Sequence, residues 1–345
     1  MPERQPEYRR IQLMGRSSYA VTLPKSWVRQ HNLSSGSTVA VTVDPKGVLH
    51  IYPEGMERER EELSEKVLDA SRIPSPGALA EAIRSCYKIG YETIVIRHPG
   101  GISPEGVAEI HEAVNSLYGT LIVSESANET VLRTSIDVKT LPVQSLLNRM
   151  GSFFLYLARE VENVLKTGST EEAKAVEYRA SEAEKIYSLL VRQLVQGVRS
   201  HQIAFRVGLK DVIQCLGSRM VSKALIDMTR GMLGIYHVSP EIHDRSGEYV
   251  DTVLSLLIDV IRLYRKAFAA LQQEDIRKAA EVLADRSQFH ERLTSFEKTL
   301  PKGEEEGSKV SPLVSALLEL QNVNNSIAVL AEVAVNRYVE GPEAS

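Results

Sequence analysis

Sulfur and aromatic chemistry are scarce in this chain. Its 345 residues include two cysteines, one tryptophan and six phenylalanines. Cys86 and Cys215 stand far apart, on separate expected helices, with no metal or redox spacing around them. A disulfide-built scaffold is excluded, and a reducing compartment is the simple reading. No apolar run reaches the roughly 20 residues that cross a bilayer. The N-terminus is charged and lacks an apolar signal core. A cytoplasmic location without membrane insertion is expected. The chain has no H-E-x-x-H or H-x-x-x-H spacing, no P-loop, no nucleophile elbow and no dinucleotide fingerprint. No carboxylate pair stands out as acid and base, so an enzyme is not expected. An overall basic excess is also missing, since the formal net charge is −4. That charge is unevenly spread: residues 1–56 carry +3 and the remainder −7.

The basic stretch is also the most patterned. Ile11 and Leu13, then Tyr19, Val21 and Leu23, alternate with the period of half-buried strands around a Gly15-Arg16-Ser-Ser turn. Pro24 suits the first position of a short helix from Lys25 to His31, which sends Trp27 and Val28 toward a core. Asn32 stops the helix and Ser35-Gly36 turns the chain. Val39, Val41 and Val43 then alternate, Pro45-Lys46-Gly47 turns, and Val48, Leu49 and Ile51 run back as a hairpin. Such a module buries little apolar surface alone, which predicts an intertwined homodimer. Arg9, Arg10, Arg16, Lys25 and Arg29 crowd into it, as a phosphate backbone would require. DNA is the first partner to consider. A domain that only dimerises, with solvated arginines, is the competing reading.

Gly15-Arg16, Tyr19-Ala-Val-Thr-Leu23, Pro24-Lys25 and Leu33-x-x-Gly36-x-x-Val39 with the closing hairpin resemble the AbrB/SpoVT family of swapped-hairpin DNA-binding domains. The resemblance implies a two-fold dimer presenting arginines from loops and strand ends to DNA. By position, Arg9, Arg10, Arg16, Lys25 and Arg29 would carry that role. Domains of this type also occur in antitoxins, which are usually short chains.

From residue 57 the pattern changes. A charged stretch, Gly-Met-Glu-Arg-Glu-Arg-Glu, leads to a small α/β sandwich over 57–138. Its expected order is β-α-β-α-β-β: a strand at Lys66–Ala70, a helix at Gly77–Gly90, and a strand at Glu92–Ile96. A helix capped by Ser103-Pro104 follows, then strands at Gly119–Val123 and Thr130–Ile136. His98-Pro-Gly-Gly101 follows the central strand. Its amides could meet an anion, although a glycine pair that merely turns the chain is the plainer reading.

Beyond Thr140 the chain reads as six long helices, with breaks near Gly168-Ser169, Ser200, Tyr236–Glu241, Gln273-Glu274 and Pro301–Gly307. An internal repeat relates Ala173-x-x-Val176 to Ala279-x-x-Val282. This predicts two tandem three-helix bundles, over 139–240 and 241–341. Among their polar residues, Tyr178 and Tyr187 are read as packing, and Arg192 as pairing with an acid of a neighbouring helix. His201, His237 and His243 lie near helix ends, where they would cap carbonyls. Glu304-Glu-Glu306 is read as a solvated loop.

Glu182-Ala-Glu-Lys-Ile-Tyr-Ser-Leu-Leu-Val-Arg-Gln-Leu194 and Ser222-Lys-Ala-Leu-Ile-Asp227 resemble the PhoU family of phosphate-uptake regulators, and the domain order resembles its archaeal kind. The resemblance implies a mainly helical, PhoU-like body and a DNA-binding regulator of phosphate uptake. A signalling adaptor docking on a phosphate transporter or other partner protein is the alternative. It also implies Fe or Zn held by E-x-x-x-D pairs, for which Glu184 and Asp227 are the candidate ligands. Here the pattern is eroded. Ala180 precedes Glu184 by four residues, and Lys223 precedes Asp227. In the second repeat His290 follows Arg286, and Asn322 follows Leu318. Cationic side chains oppose cation binding, so no cofactor is expected beyond a weakly held transition metal.

Overall fold

The computed structural model describes residues 7–43, 47–54, 63–73, 77–136, 141–244, 247–301 and 304–341. The turn expected at Pro45-Lys46 and the charged stretch at 55–62 lie outside the described residues, as do the side chains of His201 and of Glu304-Glu-Glu306. The chain divides into two compact units, Met1–Glu61 and Glu62–Ser345.

In the first unit, β1 (Gln12–Met14) and β2 (Ser18–Ala20) form an antiparallel hairpin with Leu13 opposite Tyr19. Gly15 turns it at φ +69°, a conformation that a Cβ would strain. Extended Pro24 leads directly into α1 (Lys25–Gln30), and left-handed Asn32, at φ +52°, ends it. β3 (Val39–Val43) pairs antiparallel with β4 (Leu49–Pro53). The expected alternation is therefore present. The expected core is not: Trp27 and Val28 are only half-buried, and no described residue of this unit is fully buried. Ile11, Leu13, Met14, Tyr19, Val41, Val43 and Leu49 are each more than half exposed. Isolated two-stranded ribbons are marginal in water until another layer covers them.

The second unit opens with β5 (Leu63–Asp69), a 3-10 turn (Ala70–Arg72), α2 (Ala78–Ile89), β6 (Tyr91–Arg97), α3 (Pro104–Asn115), β7 (Thr120–Glu125) and β8 (Glu129–Thr134). The sheet order is β5-β6-β8-β7, with β5 and β6 parallel and the other pairs antiparallel. Parallel neighbours need a crossover, which α2 supplies. The Ser103 hydroxyl accepts from Gly106 N–H at 3.1 Å and starts α3. One sheet face and both helices bury Ile83, Tyr87, Ile94, Ile96, Ile110 and Leu132. The β-α-β-α-β-β order matches the sequence reading.

The remainder is helical: α4 (Val143–Thr167), α5 (Ala173–Arg199), α6 (His201–Arg206), α7 (Val212–His243), α8 (Gly247–Gln273), α9 (Ile276–Thr299) and α10 (Glu304–Glu340). Six of these are the long helices expected, and the short α6 is additional. α4, α5 and α7 pack on one another, as do α8, α9 and α10, and the two sets meet mainly along α7 and α10. The valines that mark the repeat, Val176 and Val282, are both fully buried. The break expected near Tyr236–Glu241 falls slightly later, because α7 runs through Pro240 to His243 before α8 begins at Gly247. Tyr236, Ser239 and Ile242 are buried on its inner face, and Pro240 lies close enough to the helix end to disturb little of the ladder. Glu304 to Glu306 likewise belong to the start of α10 rather than to a loop.

α5 ties the sheet layer to the helices. Arg192, buried, donates from Nη1 to the carbonyls of Tyr87 and Tyr91, both at 2.8 Å. Arg199 donates to Ile89 O at 2.9 Å. Tyr118 donates its hydroxyl to buried Glu182 at 2.5 Å. The expected acidic partner of Arg192 is therefore replaced by main-chain carbonyls, Tyr87 O at the end of α2 and Tyr91 O at the start of β6. The helix dipole favours a positive charge at that end.

Candidate nucleic-acid interface

The cationic side chains of the first unit lie at its turns and element ends. Arg9 and Arg10 precede β1, Arg16 occupies the β1–β2 turn, and Lys25 and Arg29 lie on α1. All five are exposed. Arg9 pairs with Glu7. Trp27 and His31 contact each other at 5.0 Å between ring centroids, which braces the helix that displays Lys25 and Arg29. Guanidinium and ammonium groups on turns and helix starts can reach phosphate oxygens without any change of backbone.

Residues 12–59 match the family model described as antidote-toxin recognition MazE, bacterial antitoxin. The first unit is thus a MazE-type, AbrB-like domain. The match spans β1 through β4, the stretch whose resemblance was read from sequence. No curated protein and no solved structure matches the chain.

The carboxylates singled out for metal do come together, but around cations. Arg230 donates from Nε to Glu184 Oε1 at 2.6 Å and from Nη2 to Glu184 Oε2 at 2.9 Å, a bidentate pair. The Glu184 hydrogen bonds raise the Arg230 pKa further. Arg230 also reaches Asp227 Oδ1 at 3.5 Å, and Lys223 pairs with the same carboxylate. Arg230 was not singled out in sequence, because its partner lies 46 positions away. In the second repeat, His290 Nδ1 contacts Gln321 Oε1 at 2.8 Å and Arg286 donates to Asn324 O at 2.8 Å. Among the described residues, no group of three or more His, Cys, Asp and Glu side chains gathers. Hard cations need several free anionic oxygens. These residues do not fit a carboxylate-held Fe or Zn ion.

The His98 loop also has an internal occupation. His98 is buried, with Nδ1 facing Ala127 O at 3.0 Å and Nε2 facing Thr130 Oγ1 at 3.2 Å. A carbonyl only accepts, so Nδ1 carries the proton there. Gly100 and Gly101 turn the chain at positive φ. The Glu109 carboxylate accepts from Leu79 and Ala80 N–H, each at 3.1 Å. Backbone donors, Gly77 foremost, hold its pKa below the usual carboxylate range. The start of α2 therefore already has an anion. Among the other residues weighed, Tyr187 is buried as expected, whereas Tyr178 is 66% exposed. His243 donates to Leu165 O at 2.9 Å, near the end of α4, as a cap. His237 instead meets Glu177 at 2.7 Å.

Among the described residues, no helix is long and apolar enough to cross a membrane.

Proposed function

We propose that this chain is a homodimeric, DNA-binding transcriptional regulator of phosphate uptake, with a helical body that senses state or docks a partner. The observation that carries the reading is the MazE-type match over residues 12–59, together with exposed Arg10, Arg16, Lys25 and Arg29 on the same short segment. Dimerisation is supported by the uncovered apolar strands of the first unit. The phosphate part rests on the resemblance of Glu182–Leu194 and Ser222–Asp227 to PhoU proteins alone. The same reading puts the protein in the cytoplasm and gives it no catalytic activity. It divides the chain at residues 56, 138 and 240.

The adaptor alternative is favoured by one observation. Ile213, Leu216 and Met220 are exposed along a single face of α7, where a partner could dock.

A gel-shift titration on DNA upstream of the protein's own gene tests the main reading. Binding is expected to weaken steeply with salt. Arg16→Ala or Lys25→Ala should weaken it further and lower the salt slope by about one unit for each phosphate no longer neutralised. Unchanged affinity in an Arg9/Arg10/Arg16 triple alanine variant would remove these residues as DNA-binding groups. A phosphate transporter operon beside the gene would support the pathway.

A further inference from the structure

α2 and α3 cover one face of the sheet. Within the second unit, no described helix packs on the other. Register dictates what that open face presents. Val67 of β5 pairs with Val95 of β6, Val95 with Val131 of β8, and Val131 with Ser124 of β7, beside the bulged Val123. Paired residues share a face, so Val67, Val95 and Val131 form an aliphatic row across three strands that meets Ser124 and bulged Val123 on β7, while Leu121 lies in the next row, opposite Arg133. Val95, at the centre, is only 8% exposed, but Val67, Val123 and Leu121 are 39%, 54% and 65% exposed. A solvated sheet face is expected to be polar. An aliphatic row at the centre of such a face, with exposed Val123 and Leu121 beside it, marks a contact surface.

We propose that this open face docks on the same face of a second copy of the chain, extending the dimer through sheet-on-sheet contact. The proposal rests on the dimer reading of the first unit. Three observations select a second copy as the occupant. First, the rows flanking the stripe carry both signs, Glu65 and Arg133 on one side, Arg97 and Glu129 on the other. A twofold contact needs such a self-compatible patch. Second, only eight residues separate Glu54 from Leu63, a reach of at most about 30 Å. A dimeric first unit therefore holds the partner's sheet at an effective concentration on the order of millimolar. Third, size agrees with tethering. Four strands of about six residues present about 400 Å² each, or about 800 Å² in total. That is below the roughly 1,200 Å² of interfaces that hold free partners together.

The test uses the full chain with one added cysteine, Leu121→Cys, Val123→Cys or, as an exposed control on α8, Ile258→Cys, treated with a short bismaleimide. Native Cys86 and Cys215 are buried. The two sheet variants are expected to form covalent dimer at least about tenfold faster than the control. Adding Val67→Asp to Leu121→Cys should abolish that advantage. Rates equal to the control in both sheet variants would overturn the proposal, whether or not the aspartate variant folds. Sedimentation of the same samples separates the two readings. A dimer without the cross-linking advantage defeats the sheet contact alone, whereas a monomer defeats the dimer reading as well.

Discussion

Replacing Arg192 with methionine tests how the sheet layer is held. The guanidinium is buried, donates to Tyr87 O and Tyr91 O at 2.8 Å each, and lies 5.0 Å from the Tyr87 ring centroid. Hydrogen bonds from a charged donor contribute about 1.5–3 kcal/mol each, and the ring contact about 1–2 kcal/mol. Against this stands the cost of burying a cation, which also lowers the Arg192 pKa; that cost is several kcal/mol. Methionine keeps most of the apolar stem and removes both the bonds and the cost. Tyr87 O keeps its bond from Gly90 N–H at 3.0 Å, so it is not orphaned. The expected net loss is about 2–3 kcal/mol, or roughly 5 °C in melting temperature for a unit of this size. Scanning calorimetry on the full chain measures it, and hydrogen exchange should show faster opening at the end of α2. A variant that melts as high as the wild type would show that the burial cost cancels both bonds, as happens for some buried ion pairs.

Three further outcomes are expected. Glu182 is buried, which opposes ionisation, yet bonds from Tyr118 and Lys185 and the nearby Arg149 hold its pKa below the usual value. Its stabilising effect is present above the unfolded glutamate value of about 4.3 and lost as pH falls through the lowered folded value. The melting-temperature gap between wild type and Glu182→Gln should therefore close on acidification, and a gap independent of pH would refute this. Protein purified without chelator should contain sub-stoichiometric transition metal and melt at the same temperature in EDTA; two or more tightly held ions per chain by elemental analysis would overturn that. A fragment ending near residue 56 should not sediment as a folded monomer.

Local rules carried most of the fold. Alternating valines, Ser103-Pro104, Gly15 and Gly168 act within a few residues of themselves, so their strands, caps and turns were readable in sequence. The failures were non-local. Arg192 looked like half of an ion pair because main-chain carbonyls have no signature in sequence. Arg230 was overlooked because its carboxylate lies on another helix. The break near Tyr236–Glu241 was placed too early because the burial of Tyr236 and Ile242 cannot be seen from composition. Trp27 and Val28 pointed toward a core that the described residues of the first unit do not form. Of the candidate interface, the cations were legible by type and clustering. Their exposure at turns and helix starts required the structure.

The unburied strands of the first unit make protein abundance itself an input. If ordering that unit requires a second copy, folding there follows mass action. The concentration of dimer able to engage an operator then rises with roughly the square of chain concentration at low levels. A modest change in synthesis or degradation would produce a larger change in occupancy, with no ligand involved.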